Sequence, residues 1–315
     1  MPLFMANLLL SPALLPAIAQ QVSISAVQST QSPASVGTSF LPSVNMSANQ
    51  DTRPDFPNAN PAAHRPNPNQ ITDNTPEYHR PIEIYSAANL SRITYLGSGQ
   101  TSSWTSLSLG LVAPIKQHSA LTFEATRDHR FGLSDVQAMA QFDTTFSPKL
   151  SAHLAATLTP NTHFKAKHSV SAGADYAITR QFVGSLDARI ATYGTGSFTT
   201  ISPSIHFYPK KSPFELAATW INIWDPTGNH TQGYAVNATY NISETKRLLA
   251  GYANYPDTES GITRRVDSLF IAAVWPLTAR LNLRITAEHE VRELTYRRNG
   301  ITLSLSWRLG PRRPG

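Results

Sequence analysis

The chain contains no cysteine, which excludes disulfides, thiolate metal centres and any chemistry that depends on a sulfur nucleophile. Charge is also scarce. Asp, Glu, Lys and Arg make up 15% of the 315 residues, against roughly 25% in ordinary soluble domains. Long apolar runs are missing as well, so no internal stretch reads as a membrane helix of about 20 residues. A chain with neither much charge nor long apolar runs must place its apolar residues singly, and alternation along strands does this.

Several chemical signatures are also absent. There is no H-E-x-x-H, and His163 and His168 lack the i, i+4 spacing of a helical metal pair. Phosphate-cradling and dinucleotide-binding glycine motifs are missing, so neither metal nor cofactor is expected. The formal charge of +6 lies in scattered residues and doublets such as Lys210-Lys211, Arg264-Arg265 and Arg297-Arg298, without the basic stripe of a nucleic-acid binder. Ser, His and carboxylates are all present, which keeps a membrane lipid hydrolase or acyltransferase open as an alternative. No G-x-S-x-G elbow surrounds any serine, however, and His153 and His206 could meet only through barrel geometry.

What is present is alternation. In Ile301-Thr-Leu-Ser-Leu-Ser-Trp-Arg-Leu309 the apolar and polar residues fall on opposite faces of a strand. Such a strand buries its apolar face against a second sheet in a soluble sandwich, or turns it to lipid in a membrane barrel. Recurrence and strand length decide between them. Fourteen comparable stretches follow Ile82: 83–95, 104–112, 118–128, 133–146, 150–159, 166–178, 181–193, 197–209, 213–224, 231–242, 246–256, 263–275, 279–291 and 297–309. Most reach about ten residues, the length of a tilted membrane strand and above the five or six of ordinary sheets.

The organisation along the chain agrees. Residues 1–19 are apolar and end in Ala17-Ile18-Ala19, the form of a cleaved secretory signal, although no basic residue precedes the apolar run. Residues 20–81 are rich in Pro, Asn, Ser and Gln and are expected to be a disordered periplasmic linker, because they can bury little apolar area against the entropy of ordering. Residues 82–309 form the barrel and 310–315 a short tail. Connections alternate between tight links, such as Ser147-Pro-Lys149 and Thr179-Arg180, and looser ones, such as Gly97–Ser102 and Pro256–Gly261. This predicts a short periplasmic rim and a longer outer rim. Aromatic residues near strand ends (Tyr95, Trp104, Phe146, Tyr193, Phe207, Tyr208, Trp220, Trp224, Tyr255, Trp275 and Trp307) are expected at the membrane interfaces.

Two blocks carry a family resemblance. Arg130-Phe-Gly-Leu-Ser-Asp135, after Leu121-Thr-Phe-Glu-Ala-Thr126, resembles the R-F-G-x-x-D signature of the YaiO-type outer-membrane β-barrel family. The last three strands, from Asp267 to Leu309, are similar to that family's C-terminal hairpins, and Leu249–Asp257 to its G-Y-x-x-x-P-D strand and loop. The resemblance covers about 85–309. It implies an outer-membrane barrel without catalytic residues, in a family associated with exopolysaccharide or other surface glycans. The chain departs from the common pattern in two ways. Low-complexity sequence stands where some relatives carry helical repeats, and Leu309 followed by Gly310–Gly315 replaces a terminal aromatic residue.

The expected fold is therefore an all-β, antiparallel up-and-down transmembrane barrel of about 14 strands, with 12 or 16 as alternatives, in a Gram-negative outer membrane. With apolar faces toward lipid, Glu124, Asp128, Asp143, Asp175, Asp187, Arg189, Glu215, Arg284, Glu288 and Arg308 fall on the lumen side. Mixed signs there either pair and close the bore or line a polar path. The expected function is export or surface anchoring of an exopolysaccharide or related glycan, with a lipid-modifying enzyme and a purely structural barrel or receptor as alternatives. Expected partners are outer-membrane lipids, the barrel-assembly machinery during insertion, and the polysaccharide with its synthesis and export proteins. Trp307 and Leu309 are expected to close the barrel beside Ile84, with Arg308 directed inward.

Overall fold

A computed structural model of the chain describes residues 81–309, apart from Gln117, Phe131, Lys211, Glu244, Ser260 and Gly261. The expected signal, nearly all of the linker and the tail lie outside the described residues. Fourteen strands follow in order: β1 (Ile82–Tyr95), β2 (Thr101–Lys116), β3 (Ser119–Arg130), β4 (Leu133–Ser147), β5 (Leu150–Leu158), β6 (His168–Ala177), β7 (Phe182–Tyr193), β8 (Gly196–Phe207), β9 (Phe214–Trp224), β10 (His230–Asn241), β11 (Arg247–Glu259), β12 (Ile262–Pro276), β13 (Leu281–Arg292) and β14 (Tyr296–Leu309). Each pairs antiparallel with its neighbours in sequence, and β1 pairs with β14, so the sheet closes with no open edge. Closure matters in a bilayer because unpaired backbone groups have no water to satisfy them.

The expected seam is found. Ile84 lies opposite Trp307 and Glu83 opposite Arg308. Glu83 is buried and its carboxylate lies 3.5 Å from the Arg308 guanidinium, while Ile82 and Trp307 are exposed on the other face. All fourteen expected stretches correspond to strands, with ends shifted by a few residues.

The two rims do not differ as the sequence suggested. The rim where β1 starts and β14 ends, here the terminal rim, carries short links at 117–118 and 148–149, yet its 208–213 link is longer than 131–132 or 194–195 on the far rim. The apparent long loops are partly hairpin. Pro256 to Glu259 pairs with Arg265 to Ile262, and Thr101 already belongs to β2. The far rim is set apart by a single long connection, 159–167 between β5 and β6.

Along β1, β9 and β12 the apolar phase switches once. On β9, Phe214, Leu216 and Trp220 are exposed on the outer face, but beyond Trp220 the apolar residues are Ile221 and Ile223, both buried on the inner face, with Asn222 outside. On β1, exposed Leu90 is followed by exposed Arg92 and buried Ile93; on β12, exposed Ile271 and Leu269 give way toward the far rim to Asp267 outside and Val266 inside. The exposed apolar belt is the lipid-facing surface. Beyond it, on these strands, polar residues stand outside and apolar ones within.

This switch corrects the expected aromatic girdle. Trp104, Tyr193 and Tyr255 are buried and face inward, whereas Phe146, Trp220, Trp275 and Trp307 are exposed on the outer face. Phe182 stacks on Phe207 with ring centroids 4.8 Å apart, and Phe214 meets Tyr240 at 4.9 Å, forming part of the terminal-rim girdle.

Candidate functional site

The far end of the interior is filled. Connection 159–167 folds back into the barrel and buries Thr159, Phe164, Lys165 and Ala166. Ala166 joins an apolar cluster with Tyr193, Phe198, Ile221, Ile223, Tyr255 and Val266, which come from β7, β8, β9, β11 and β12. One side of the far interior is thus a small hydrophobic core.

On the other side, charge holds the loop. The buried Asp135 carboxylate on β4 accepts the backbone N–H groups of His163 at 2.8 Å, Phe164 at 3.0 Å and Lys165 at 2.8 Å. Nδ1 of His163 lies within hydrogen-bond distance of the same carboxylate, at 2.8 Å. Three successive N–H groups directed at one carboxylate leave the loop little conformational freedom. The Lys165 ammonium pairs with the Asp128 carboxylate on β3 and donates to Oε1 of Gln137 at 3.4 Å. The Arg130 guanidinium lies 4.4 Å from the ring centroid of Trp104 and 5.2 Å from that of Phe164, a cation over two aromatic faces.

A second layer abuts the first. Trp104 meets Tyr296 edge-on at 5.5 Å. The Tyr296 hydroxyl donates to Glu290 at 2.6 Å, and Arg298 reaches both Glu290 at 2.9 Å and Glu288 at 3.2 Å. Asn89 donates to Glu288 at 3.3 Å and to Thr302 at 2.8 Å, tying β1 to β13 and β14. Removing one member of such a buried pair costs about 3–5 kcal/mol, because the survivor is left uncompensated.

The ten charged positions read from the sequence divide among three regions. Asp128 and Glu288 belong to the loop clamp and its second layer. Glu124, Asp143, Asp175, Asp187 and Arg189 lie along β3 to β7: Tyr85 donates to Glu124 at 2.7 Å, Gln141 to Asp143 at 2.7 Å, Ser185 and Ser151 to Asp175 at 2.6 and 3.2 Å, and Arg189 to Ser169 at 3.2 Å. His153 Nε2 lies 3.2 Å from the Asp187 carboxylate. Toward the terminal rim, Asn241 donates to Glu215 at 2.5 Å, Arg284 to Thr286 at 3.2 Å, and Arg308 faces Glu83. The structure does not bring all ten into one site. Nor does it join His153 to His206, which stand on β5 and β8, strands that are not neighbours.

Two of the inner contacts cross a whole strand. Tyr85, Gly110 and Glu124 stand in one row on β1, β2 and β3, as do His153, Gly173 and Asp187 on β5, β6 and β7. Any Cβ at either glycine would collide with the side chains passing over it. Glycine on the middle strand therefore lets the outer two strands bond directly.

The clamp residues absent from the ten are Lys165, Asp135, Arg130, Glu290 and Arg298. Glu290 shares its strand face with Glu288, and Arg298 shares one with Thr302, so phase alone would have found them. Lys165 sits in a connection without periodicity, and nothing local marks it as interior.

Among solved structures, the fold is similar to that of the CymD monoaromatic hydrocarbon channel, at 9% identity over 81% of this chain and 92% of that one, with a TM-score of 0.54. It is also similar to a bacterial polysaccharide outer membrane secretin, at 10% identity over 74% of this chain and 100% of that one, with a TM-score of 0.53. No protein-family model matches the sequence, and no curated protein matches it. The closed 14-stranded barrel, its exposed apolar belt and these likenesses make the chain an outer-membrane β-barrel.

Proposed function

We propose that the chain is a gated outer-membrane channel for polar, hydroxyl-rich solutes of the glycan class, and that connection 159–167 is its closed gate. The observation that carries this reading is the inner wall. On the terminal-rim side of the clamp, many buried inward positions carry hydroxyls or amides, among them Thr302, Ser304 and Ser306 on β14, Thr200 and Ser202 on β8, and Asn237 and Thr239 on β10, beside apolar patches of Tyr85, Val112 and Ala120 and of Leu249, Ala272 and Val274. Neutral groups that both donate and accept suit sugar hydroxyls and disfavour an apolar solute, which would leave them unpaired. This sets a glycan substrate above a hydrocarbon one. The likeness to a polysaccharide secretin supports the same class. So does the YaiO-type signature, whose Arg130 and Asp135 are the residues that hold the loop.

The gate follows from the loop's position: it folds inward from β5 and β6, is anchored beside them on β4 and β3, and packs Ala166 against the apolar cluster of β7, β8, β9, β11 and β12. Planar-bilayer conductance and liposome swelling with neutral oligosaccharides test the proposal. Low basal conductance is expected, rising when the clamp is broken, with oligosaccharide entry exceeding that of an apolar aromatic tracer. A correctly folded, clamp-broken barrel that neither conducts nor admits sugar would sink the channel reading.

A further inference from the structure

On the six adjoining strands β13, β14, β1, β2, β3 and β4, every carboxylate faces inward: Glu288 and Glu290, Glu83, Glu124 and Asp128, Asp135 and Asp143. Just beyond the apolar belt, the outer face of the same strands carries Arg92, Arg127, His129, His289, Arg297 and Asn299, with no carboxylate among the outward strand positions. The β9–β12 sector differs at the same level, presenting Trp220, Tyr234, Tyr252 and the acidic Asp267. Arg265 on β12, His168 on β6 and His230 on β10 are also exposed, so the outward cations are concentrated on one side of the barrel without being confined to it.

Their register makes them a cluster. Asn299 stands between His289 and Arg92 in one row across β13, β14 and β1, and Arg297 is the next outward residue on β14. Strand spacing places Arg92 about 10 Å from His289, and Arg297 diagonal to Arg92 at about 7–8 Å between backbones. His289 donates Nδ1–H to Asn299 Oδ1 at 2.7 Å, which orients the amide and leaves its N–H groups outward. His129 is held likewise by Ser134 at 2.9 Å. Arg92, Arg127 and Arg297 are exposed and have no ion-pair partner among the described residues. Below the cluster the same face continues into Leu90, Leu107, Ile301 and Leu303, all more than half exposed.

We propose that this face is a docking site for a phosphorylated glycolipid of the outer leaflet, its phosphates on Arg92, Arg297 and Asn299 and its acyl chains along Leu90 and Ile301. Charge complementarity selects the phosphates, and the abrupt change from apolar to cationic at one level matches the depth at which a lipid changes from chain to headgroup. The far rim is assigned to the outer surface because it carries the longest connection, 159–167, on the pattern of short periplasmic turns and longer extracellular loops. The site is independent of any passage through the interior.

The test uses the full chain, folded in phosphatidylcholine nanodiscs and titrated with a bisphosphorylated disaccharide glycolipid or its phosphate-free counterpart. Binding is read by native mass spectrometry, with heat-modifiable gel mobility as the check on folding. Removing the phosphates, or making the R92Q/R297Q double variant, is expected to weaken binding about thirtyfold, and added salt should weaken it in wild type. The R180Q/R280Q variant, altered at the terminal rim, should bind as wild type does. Equal binding of the phosphate-free lipid, undiminished binding by folded R92Q/R297Q, or an equal loss in R180Q/R280Q overturns the proposal.

Discussion

The carboxylate of Asp135 accepts the backbone N–H of Lys165 at 2.8 Å, joining a residue of β4 to the inward connection that follows β5. The same carboxylate accepts from His163 and Phe164, so one side chain satisfies three N–H groups that no strand pairs. Asp135→Ala should strand all of them at a cost of about 3–5 kcal/mol for the buried arrangement. The loop should leave while the barrel stays closed, since β4 keeps its pairing with β3 and β5. Single-channel recording should show larger or more frequent openings than wild type, and protease should cleave within 159–167. Asp135→Asn, which keeps one acceptor oxygen, should fall between. Unchanged conductance together with an unchanged protease pattern in folded Asp135→Ala would remove the loop from any gating role.

The Lys165–Asp128 pair offers a sharper energetic test because both partners are almost fully buried. Lys165→Met and Asp128→Asn should each destabilise the closed loop by about 3–5 kcal/mol, whereas the double variant should recover much of the loss, since no lone charge then stays inside. Urea midpoints of loop opening, followed by protease accessibility, measure the coupling. Simple additivity of the two single effects would mean that Lys165 and Asp128 do not act as a pair.

How much of this was legible beforehand follows from the range over which each pattern acts. Period-two alternation is local, so Ile301–Leu309 and its thirteen counterparts were readable as strands, and an even count placed Ile84 beside Trp307. Alternation cannot say which face is inside, and that is why Trp104, Tyr193 and Tyr255 were misplaced. Their strands change phase beyond the lipid belt, as β9 does between Trp220 and Ile221. The doublet Trp220-Ile221 is the sequence trace of that boundary, since two consecutive large apolar residues break a strict alternation. Asp128 and Glu288 were assigned to the inner face from phase alone. Arg298 is readable as inward from its own phase, but its pairing with Glu288 depends on the register between β13 and β14, and the place of Lys165 depends on the loop's path, which no local pattern records.

Asp225 in the β9–β10 turn gives a pH test outside the membrane. Desolvation is the largest single effect and raises the pKa, but hydrogen bonds from Thr227 and Asn229 together outweigh this and hold its carboxyl below the usual carboxylate range. It accepts the Thr227 N–H at 2.8 Å and hydroxyl at 2.7 Å, and the Asn229 N–H at 2.9 Å. A depressed folded-state pKa means that the turn's stabilisation is complete above the ordinary carboxylate pKa and is lost as pH falls through the depressed value. Amide exchange at Thr227 and Asn229 should thus stay protected at neutral and mildly acidic pH and accelerate only in stronger acid. Asp225→Asn should weaken protection at neutral and mildly acidic pH and abolish the acid transition. A transition that survives in Asp225→Asn would assign it to another group.

Gly173 separates a packing requirement from a conformational one, because it lies in the regular pairing of β6 with both β5 and β7. Its value lies in the missing side chain: a Cβ there would collide with the His153 ring and the Asp187 carboxylate that meet above it. Gly173→Ala should therefore destabilise the barrel by about 1–3 kcal/mol through overpacking, although alanine is the less entropically costly residue in a strand. Removing one of the two obstructions should shrink the penalty. In a His153→Ala background, Gly173→Ala should cost less, because the imidazole is gone and the Asp187 carboxylate, released from it, can rotate away. Urea unfolding of the four proteins completes the cycle, and an equal penalty for Gly173→Ala in both backgrounds would show that the strand-crossing pair is not what glycine accommodates.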